Sequence, residues 1–179
     1  MTKWLIIDGY NLIRRIGNYR FGDHRLGNHR AGATIHREVG LPRDLAGKRH
    51  QLVQLLEKTV GILAERITVV FDGRSGGGPD EQESSVVEVL FSPVDKTADT
   101  VIEQLVFQAG AAGKIVVVTS DRLERETTEG AGAETMACSV FIDQLDETLV
   151  RIEQELRSRA LAKHPATPLG NPFSGLDIK

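Results

Sequence analysis

The chain has 179 residues, the length of one ordinary domain, and 40% of them are apolar, which is enough for a buried core. Its net charge of −3 is unevenly distributed, because residues 14–50 hold nine Lys/Arg and three Asp/Glu, a net +6, which leaves −9 for the remainder. No apolar run reaches the roughly 20 residues that span a bilayer, and the N-terminus lacks a secretory leader. The single cysteine, Cys138, excludes a disulfide within the chain and a cysteine-cluster zinc site. We therefore expect a soluble, cytoplasmic protein with no membrane role.

Four apolar runs predict strands. Three of them are almost continuous in Val, Ile, Leu and Phe, as strands buried on both faces of a parallel sheet are. One run alternates, which is typical of a strand at or near the edge of a sheet. The runs are Trp4–Ile7, Ile67–Phe71, the alternating Val86–Phe91, and Ile115–Val118, and Glu134–Val140 is a weaker fifth candidate.

Helical periodicity fills the intervals between these strands. Apolar residues recur three or four positions apart over residues 52–63, 98–109 and 141–156, as they do in helices that pack on a sheet. Alternating strands and helices predict an α/β fold, a three-layer sandwich with a central, mostly parallel sheet and right-handed crossovers.

The sequence predicts one domain over residues 1–160. A long basic insertion with five glycines, residues 14–43, interrupts it, and connections of that length are typically functional or disordered. Residues 161–179 include three prolines and show no periodicity, so we expect a flexible C-terminal tail.

An aspartate follows each of the four main strands. Asp8 and Asp72 end the first and second strands, Asp99 follows the third after a short loop that also holds Asp95, and Asp121 follows the fourth. Because the carboxyl ends of parallel strands meet at one edge of the sheet, these side chains are expected to converge.

Each aspartate also has a purely structural explanation. Asp8 and Asp72 both precede a glycine, a common turn pair, and Asp99 lies in the first turn of a predicted helix. Asp121 stands three residues before Glu124, the spacing of a capping box. Turns and caps use Asn, Ser and Thr as well, however, whereas all four positions here carry aspartate, and four converging carboxylates repel one another unless a cation neutralises them.

Hard oxygen ligands without Cys or His favour Mg²⁺ or Mn²⁺ at this edge of the sheet. Such a site suits phosphodiester hydrolysis, in which the ion polarises the phosphoryl oxygen and activates water. Thr119 and Ser120 are candidates to hold a phosphate or a water through their hydroxyls. Asn11 is a candidate either to orient a ligand or to cap the segment that follows it.

Four segments together resemble a known family. The stretches "IIDGYNLI", "VVFDG", "KTADTVIEQL" and "VVVTSD", in this order and spacing, are similar to the YacP-like branch of the NYN-domain proteins, which belong to the PIN-like nuclease superfamily. The resemblance covers residues 3–157. It implies a PIN-like (Rossmannoid) sandwich and a Mg²⁺- or Mn²⁺-dependent endoribonuclease, and some members look like ribosome-associated enzymes that cut messenger RNA.

The resemblance also implies site residues. Asp8, Asp72, Asp99 and Asp121 correspond to the acidic positions of the family, with Asn11 and Ser120 beside them, whereas Asp95 does not clearly belong to the pattern. The basic insertion departs from the family, whose members usually reach the next helix by a shorter path. Its arginines, among them Arg14, Arg15 and Arg20, are candidates to contact the phosphates of RNA, single-stranded or messenger, through salt-dependent contacts.

Two other functions fit parts of the sequence. The same fold can serve as a non-catalytic RNA- or ribosome-binding module, although four retained acids argue against a decayed active site. Phosphoryl transfer through an aspartate is disfavoured because residue 6 is Ile, which removes the Asp-x-Asp pair of the phosphatases, and because no lysine follows a fifth strand as in receiver domains.

Overall fold

The computed structural model describes residues 3–17, 44–73, 86–110 and 114–163. Five strands and five helices occur in these ranges and alternate over most of their length. In chain order they are β1 (Lys3–Asp8), α1 (Gly9–Ile16), α2 (Leu45–Glu57), β2 (Arg66–Phe71), β3 (Glu88–Phe91), α3 (Ala98–Ala109), β4 (Lys114–Val118), α4 (Arg122–Gly130), β5 (Glu134–Met136) and α5 (Cys138–Lys163).

The strands form one parallel sheet in the order β3-β2-β1-β4-β5. The first strand, β1, lies in the centre, where Ile7 pairs with Val69 of β2 and with Val118 of β4. Because every strand runs in the same direction, the residues that follow β1, β2, β3 and β4 all emerge at one edge.

Alternate residues of the strands face two separate cores. Leu5 and Ile7 belong to the larger core, which α1, α2 and α5 cover, whereas Ile6 between them belongs to the smaller core under α3. The sheet is thus the middle layer of three, and the predicted α/β sandwich with a central parallel sheet is confirmed.

The bounds of some elements differ from those expected. The alternating strand begins at Glu88 instead of Val86 and is an edge strand, as its pattern indicated. The fifth strand ends at Met136 because the buried residue Cys138 already begins α5. Residues 14–16 belong to α1 and Gly17 caps it, whereas residues 18–43 of the predicted basic insertion and most of the predicted tail lie outside the described residues.

None of the described helices is both long enough and apolar enough to cross a membrane.

Candidate metal centre

Three acidic side chains meet at the carboxyl edge of the sheet. Asp8 ends β1, Asp99 lies in the first turn of α3, and Glu124 lies in the first turn of α4. One carboxylate oxygen from each lies within 4.8 Å of the other two. Oxygens that share one Mg²⁺ stand roughly 3–4 Å apart, since each is about 2 Å from the ion. The three carboxylate oxygens would therefore have to move only slightly closer together to bind one divalent ion.

Asp8 is held in place by Asn11. Asp8 is 5% exposed and caps the N-terminus of α1, where its Oδ1 accepts a hydrogen bond from the Asn11 backbone N–H at 3.0 Å. The Asn11 side-chain amide donates to Oδ2 at 2.5 Å. Two charge-assisted bonds fix the orientation of the carboxylate before any ligand arrives. Asp8 caps the helix, and Asn11 orients Asp8.

Glu124 is the most deeply buried carboxylate of the three. It is 2% exposed, and neither of its carboxylate oxygens meets a donor at full hydrogen-bond geometry. Burial raises its pKa to about 8, helped by the charges of Asp8 and Asp99, and the nearby Thr119 hydroxyl offsets only part of this rise. A buried, unpartnered carboxylate is costly, and a cation would remove that cost.

Asp99 belongs to the same electrostatic system. Burial raises the pKa of its carboxyl group, and the charges of Asp8 and Asp121 raise it further. Thr97 caps the helix that carries it, because the Thr97 hydroxyl oxygen accepts from the Thr100 N–H at 3.2 Å. The helix dipole at the N-terminus of α3 favours the ionised form of Asp99, whereas the neighbouring carboxylates disfavour it. A bound cation would relieve this repulsion.

Asp121 lies at the exposed mouth of the cluster. Its Oδ1 accepts from the backbone N–H groups of Leu123 at 2.8 Å and Glu124 at 3.3 Å, which caps α4. The expected capping box is only half formed, because the Asp121 N–H donates to the Thr119 hydroxyl oxygen at 3.0 Å and not to Glu124. The Glu124 side chain therefore does not cap the helix and lies with Asp8 and Asp99 instead.

Asp72 does not join the three-carboxylate group. It follows β2 and is half-buried, and the next residue, Gly73, donates its N–H to the Ser92 hydroxyl at 3.1 Å. A Cβ at Gly73 would lie 2.2 Å from the Ser92 carbonyl oxygen, so the ends of β2 and β3 approach as closely as a glycine permits. The role of Asp72 as a metal ligand stays a prediction.

The predicted substrate-binding residues occupy different positions around this centre. Thr119 is fully buried, and its hydroxyl oxygen accepts from Asp121 and, at 3.5 Å, from the Asn11 amide, so it holds the site together instead of facing solvent. Ser120 is half-buried next to it. Arg14 and Arg15 are exposed in the last turn of α1, and Arg20 lies outside the described residues.

Glu124 is the site residue that the sequence did not reveal. Its distance of three residues from Asp121 predicted a cap partner, and a cap places a glutamate at the surface. The available signal was its position one helical turn into the element that follows a buried strand, where a side chain can turn toward the sheet edge.

The parallel α/β sandwich and the acidic cluster at its carboxyl edge fit the nuclease-like fold of the family that the chain matches. Residues 5–170 match the YacP-like NYN domain, so the chain belongs to that family, as the sequence motifs indicated.

Two solved structures share the fold. The crystal structure of Rae1 (YacP) from Bacillus subtilis aligns with a TM-score of 0.67 and 27% identity, over 90% of this chain and 83% of that one. The crystal structure of a mutant of the same Bacillus subtilis protein, in which one tryptophan is replaced by leucine, aligns with a TM-score of 0.62 and 26% identity, over 92% and 86% of the respective chains. No curated protein matches the sequence.

Proposed function

We propose that the protein is a metal-dependent endoribonuclease that hydrolyses phosphodiester bonds of RNA with Mg²⁺ or Mn²⁺. The observation that carries this proposal is the buried Glu124 carboxylate, whose oxygens meet no donor at full hydrogen-bond geometry and one of which lies within 4.8 Å of carboxylate oxygens of Asp8 and Asp99. Membership of the YacP-like NYN family supports the reaction class.

Asp8, Asp99 and Glu124 would hold the ion. Their oxygens are hard ligands, and the set contains no imidazole or thiolate, which favours Mg²⁺ or Mn²⁺ over Zn²⁺. Bound there, the ion would supply Lewis-acid polarisation of the phosphoryl group and activation of water.

The remaining acids serve the substrate side of the centre. Asp121 is exposed, and only its Oδ1 takes part in the cap of α4, so its other oxygen would be available to accept a proton from water. Asp72 is half-buried at the end of the neighbouring strand, and it completes the acidic edge as a second candidate for this work.

The exposed Arg14 and Arg15 support a nucleic-acid substrate. They lie in the last turn of α1, an eight-residue helix whose N-terminus is capped by Asp8 of the metal centre. Their charges, and that of Arg20, would contact phosphates of single-stranded or messenger RNA. We extend the proposal to messenger RNA cut at the ribosome in the cytoplasm, which the family resemblance favours.

The test is cleavage of a labelled RNA with Mg²⁺, with Mn²⁺ and with EDTA, by wild type, Glu124→Gln and Glu126→Gln. Glu126 is a matched control, because it is exposed on the same helix and pairs only with Arg122 at the surface among the described contacts. We expect metal-dependent internal cleavage by wild type and the control and none by Glu124→Gln. RNA binding without cleavage in any metal would instead establish the non-catalytic binding module. Co-sedimentation with ribosomes tests the extension separately.

A further inference from the structure

Arg49 is a buried arginine of the larger core, outside the acidic cluster. It lies in α2 and is only 2% exposed. Its Nη1 donates to the Tyr10 hydroxyl at 3.0 Å, and its guanidinium lies 5.6 Å from the centre of the Phe91 ring. Removing a guanidinium from water costs several kcal/mol, and an apolar side chain of similar volume would pack α2 without that cost. Its presence therefore calls for a role beyond packing.

The residues around Arg49 adjoin the strand ends that carry the site. Tyr10 stands between Gly9 and Asn11, two positions after Asp8. The Tyr10 ring lies 5.2 Å from the ring of Phe71, the residue directly before Asp72. Phe71 in turn lies 5.6 Å from Phe91. The guanidinium thus contacts the first turn of α1 and the end of β3, and the Phe71 ring at the end of β2 packs against the rings of both Tyr10 and Phe91.

The turn after β1 is tightly packed. A Cβ at Gly9 would lie 2.2 Å from the Phe71 ring, so the turn is in direct contact with that ring. A shift of Tyr10 must therefore move the same backbone that presents Asp8 and Asn11, because close-packed groups transmit displacements.

We propose that Arg49 is a positioning residue for the candidate metal centre, which it serves by fixing Tyr10 and thereby the turn that presents Asp8 and Asn11. The inference rests on the proposed function for the identity of the ligand. Loss of such a supporting contact typically lowers metal affinity by about 10-fold or more while leaving the ligands in place.

The experiment compares Mn²⁺ affinity, by isothermal titration calorimetry, in wild type, Arg49→Met, Tyr10→Phe and the double variant. Arg66→Met is the matched control, because Arg66 also lies over an aromatic ring, 3.8 Å from the centre of Trp4, but at the beginning of β2. We expect about 10-fold weaker binding for Arg49→Met and a several-fold loss for Tyr10→Phe. The double variant should bind no more weakly than Arg49→Met, because that variant has already lost the hydrogen bond that Tyr10→Phe removes. Arg66→Met should bind Mn²⁺ as wild type does.

Exchange of the Asn11 backbone amide with deuterium gives a second readout, since that amide donates to Asp8. In Arg49→Met without metal, it should exchange faster while the amides of β4 keep their protection. Lower thermal stability with wild-type Mn²⁺ affinity and an unchanged Asn11 amide would overturn the inference. Should Arg49→Met not fold, Arg49→Lys and Tyr10→Phe decide by the same criteria. If wild type binds Mn²⁺ but cleaves no RNA, or binds no Mn²⁺ at all, the proposed function fails, and the Asn11 amide still decides the role of Arg49.

Discussion

Asn11 donates one hydrogen bond to each carboxylate oxygen of Asp8, from its backbone N–H to Oδ1 and from its side-chain amide to Oδ2. Asp8, the last residue of β1, is therefore held in a single orientation by the first turn of α1. Because this orientation exists without a ligand, the energy of ordering the carboxylate does not have to come from binding.

Replacing Asn11 with Ala should weaken Mn²⁺ binding by about 10-fold, because Asp8 keeps its backbone bond but loses the side-chain bond that fixes its second oxygen. The measurement is calorimetric titration with Mn²⁺. Gln54→Ala is a suitable control, since Gln54 bonds only to His50 at the surface among the described contacts. Equal affinities in Asn11→Ala and wild type would show that the amide does not orient Asp8.

Glu124→Gln should make the metal-free protein more stable while it abolishes cleavage. In the folded protein the carboxyl group has a pKa of about 8, against an ordinary value of 4.5. At pH 7 Glu124 is ionised in the unfolded chain but mostly protonated in the folded protein, and this difference favours unfolding. Removing the ionisable group should therefore stabilise the fold by about 3 kcal/mol. Chemical denaturation with EDTA present measures this. A loss of stability comparable to that of a core truncation would mean that Glu124 has a structural role.

The stability of the metal-free protein should fall as the pH rises from about 4.5 to about 8. The pKa of Glu124 is higher in the folded state, so the unfolded state loses its proton first and gains stability across this window. The raised pKa of Asp99 acts in the same direction. The change for Glu124 is about 5 kcal/mol at most, since one pKa unit corresponds to about 1.4 kcal/mol.

Mn²⁺ should flatten this pH dependence, because the ion binds the ionised carboxylates of the folded state. Denaturation midpoints at several pH values, with EDTA and with Mn²⁺, make the comparison. A metal-free protein whose stability is constant or increases over this window would contradict the assignment of Glu124 as a buried acid.

Asp121→Asn should leave thermal stability close to that of wild type, because an asparagine side chain caps a helix about as well as an aspartate. Cleavage should nevertheless fall by at least about 100-fold, since the substitution removes the carboxylate proposed to accept a proton. Thermal unfolding and single-turnover cleavage assays measure the two effects. Undiminished cleavage would restrict Asp121 to its role as the cap of α4.

Gly73→Ala should destabilise the fold by about 1–3 kcal/mol, because the new Cβ would lie 2.2 Å from the carbonyl oxygen of Ser92, a backbone atom that cannot move away. Gly130→Ala is the matched control. Gly130 lies at the end of α4 with no atom within 4 Å of an added Cβ, so alanine should stabilise the protein slightly. A Gly73→Ala variant as stable as wild type would show that β2 and β3 do not meet as closely as described.

The sequence predicted the fold more completely than the site. Continuous apolar runs such as that of β1 favour a strand buried on both faces of a parallel sheet, and helical periodicity identified α3 and α5. Asp8 and Asp99 were predictable because the topology brings strand ends and helix starts together.

The rest of the site depends on side-chain directions that spacing does not determine. Glu124 is the third residue after Asp121, and the same spacing fits a surface capping box and a helix that turns its glutamate inward. The backbone N–H of Asp121 decides between them by bonding to Thr119. Arg49 was equally hidden, because an arginine in a basic segment normally predicts an exposed side chain.

Anomalous diffraction from a crystal soaked in Mn²⁺ tests the central claim most directly. We expect a single strong peak about 2.2 Å from oxygens of Asp8, Asp99 and Glu124, with Glu124 as a direct ligand. A peak coordinated by other residues while Glu124 stays uncoordinated, or no peak at a Mn²⁺ concentration that supports cleavage, would contradict the account.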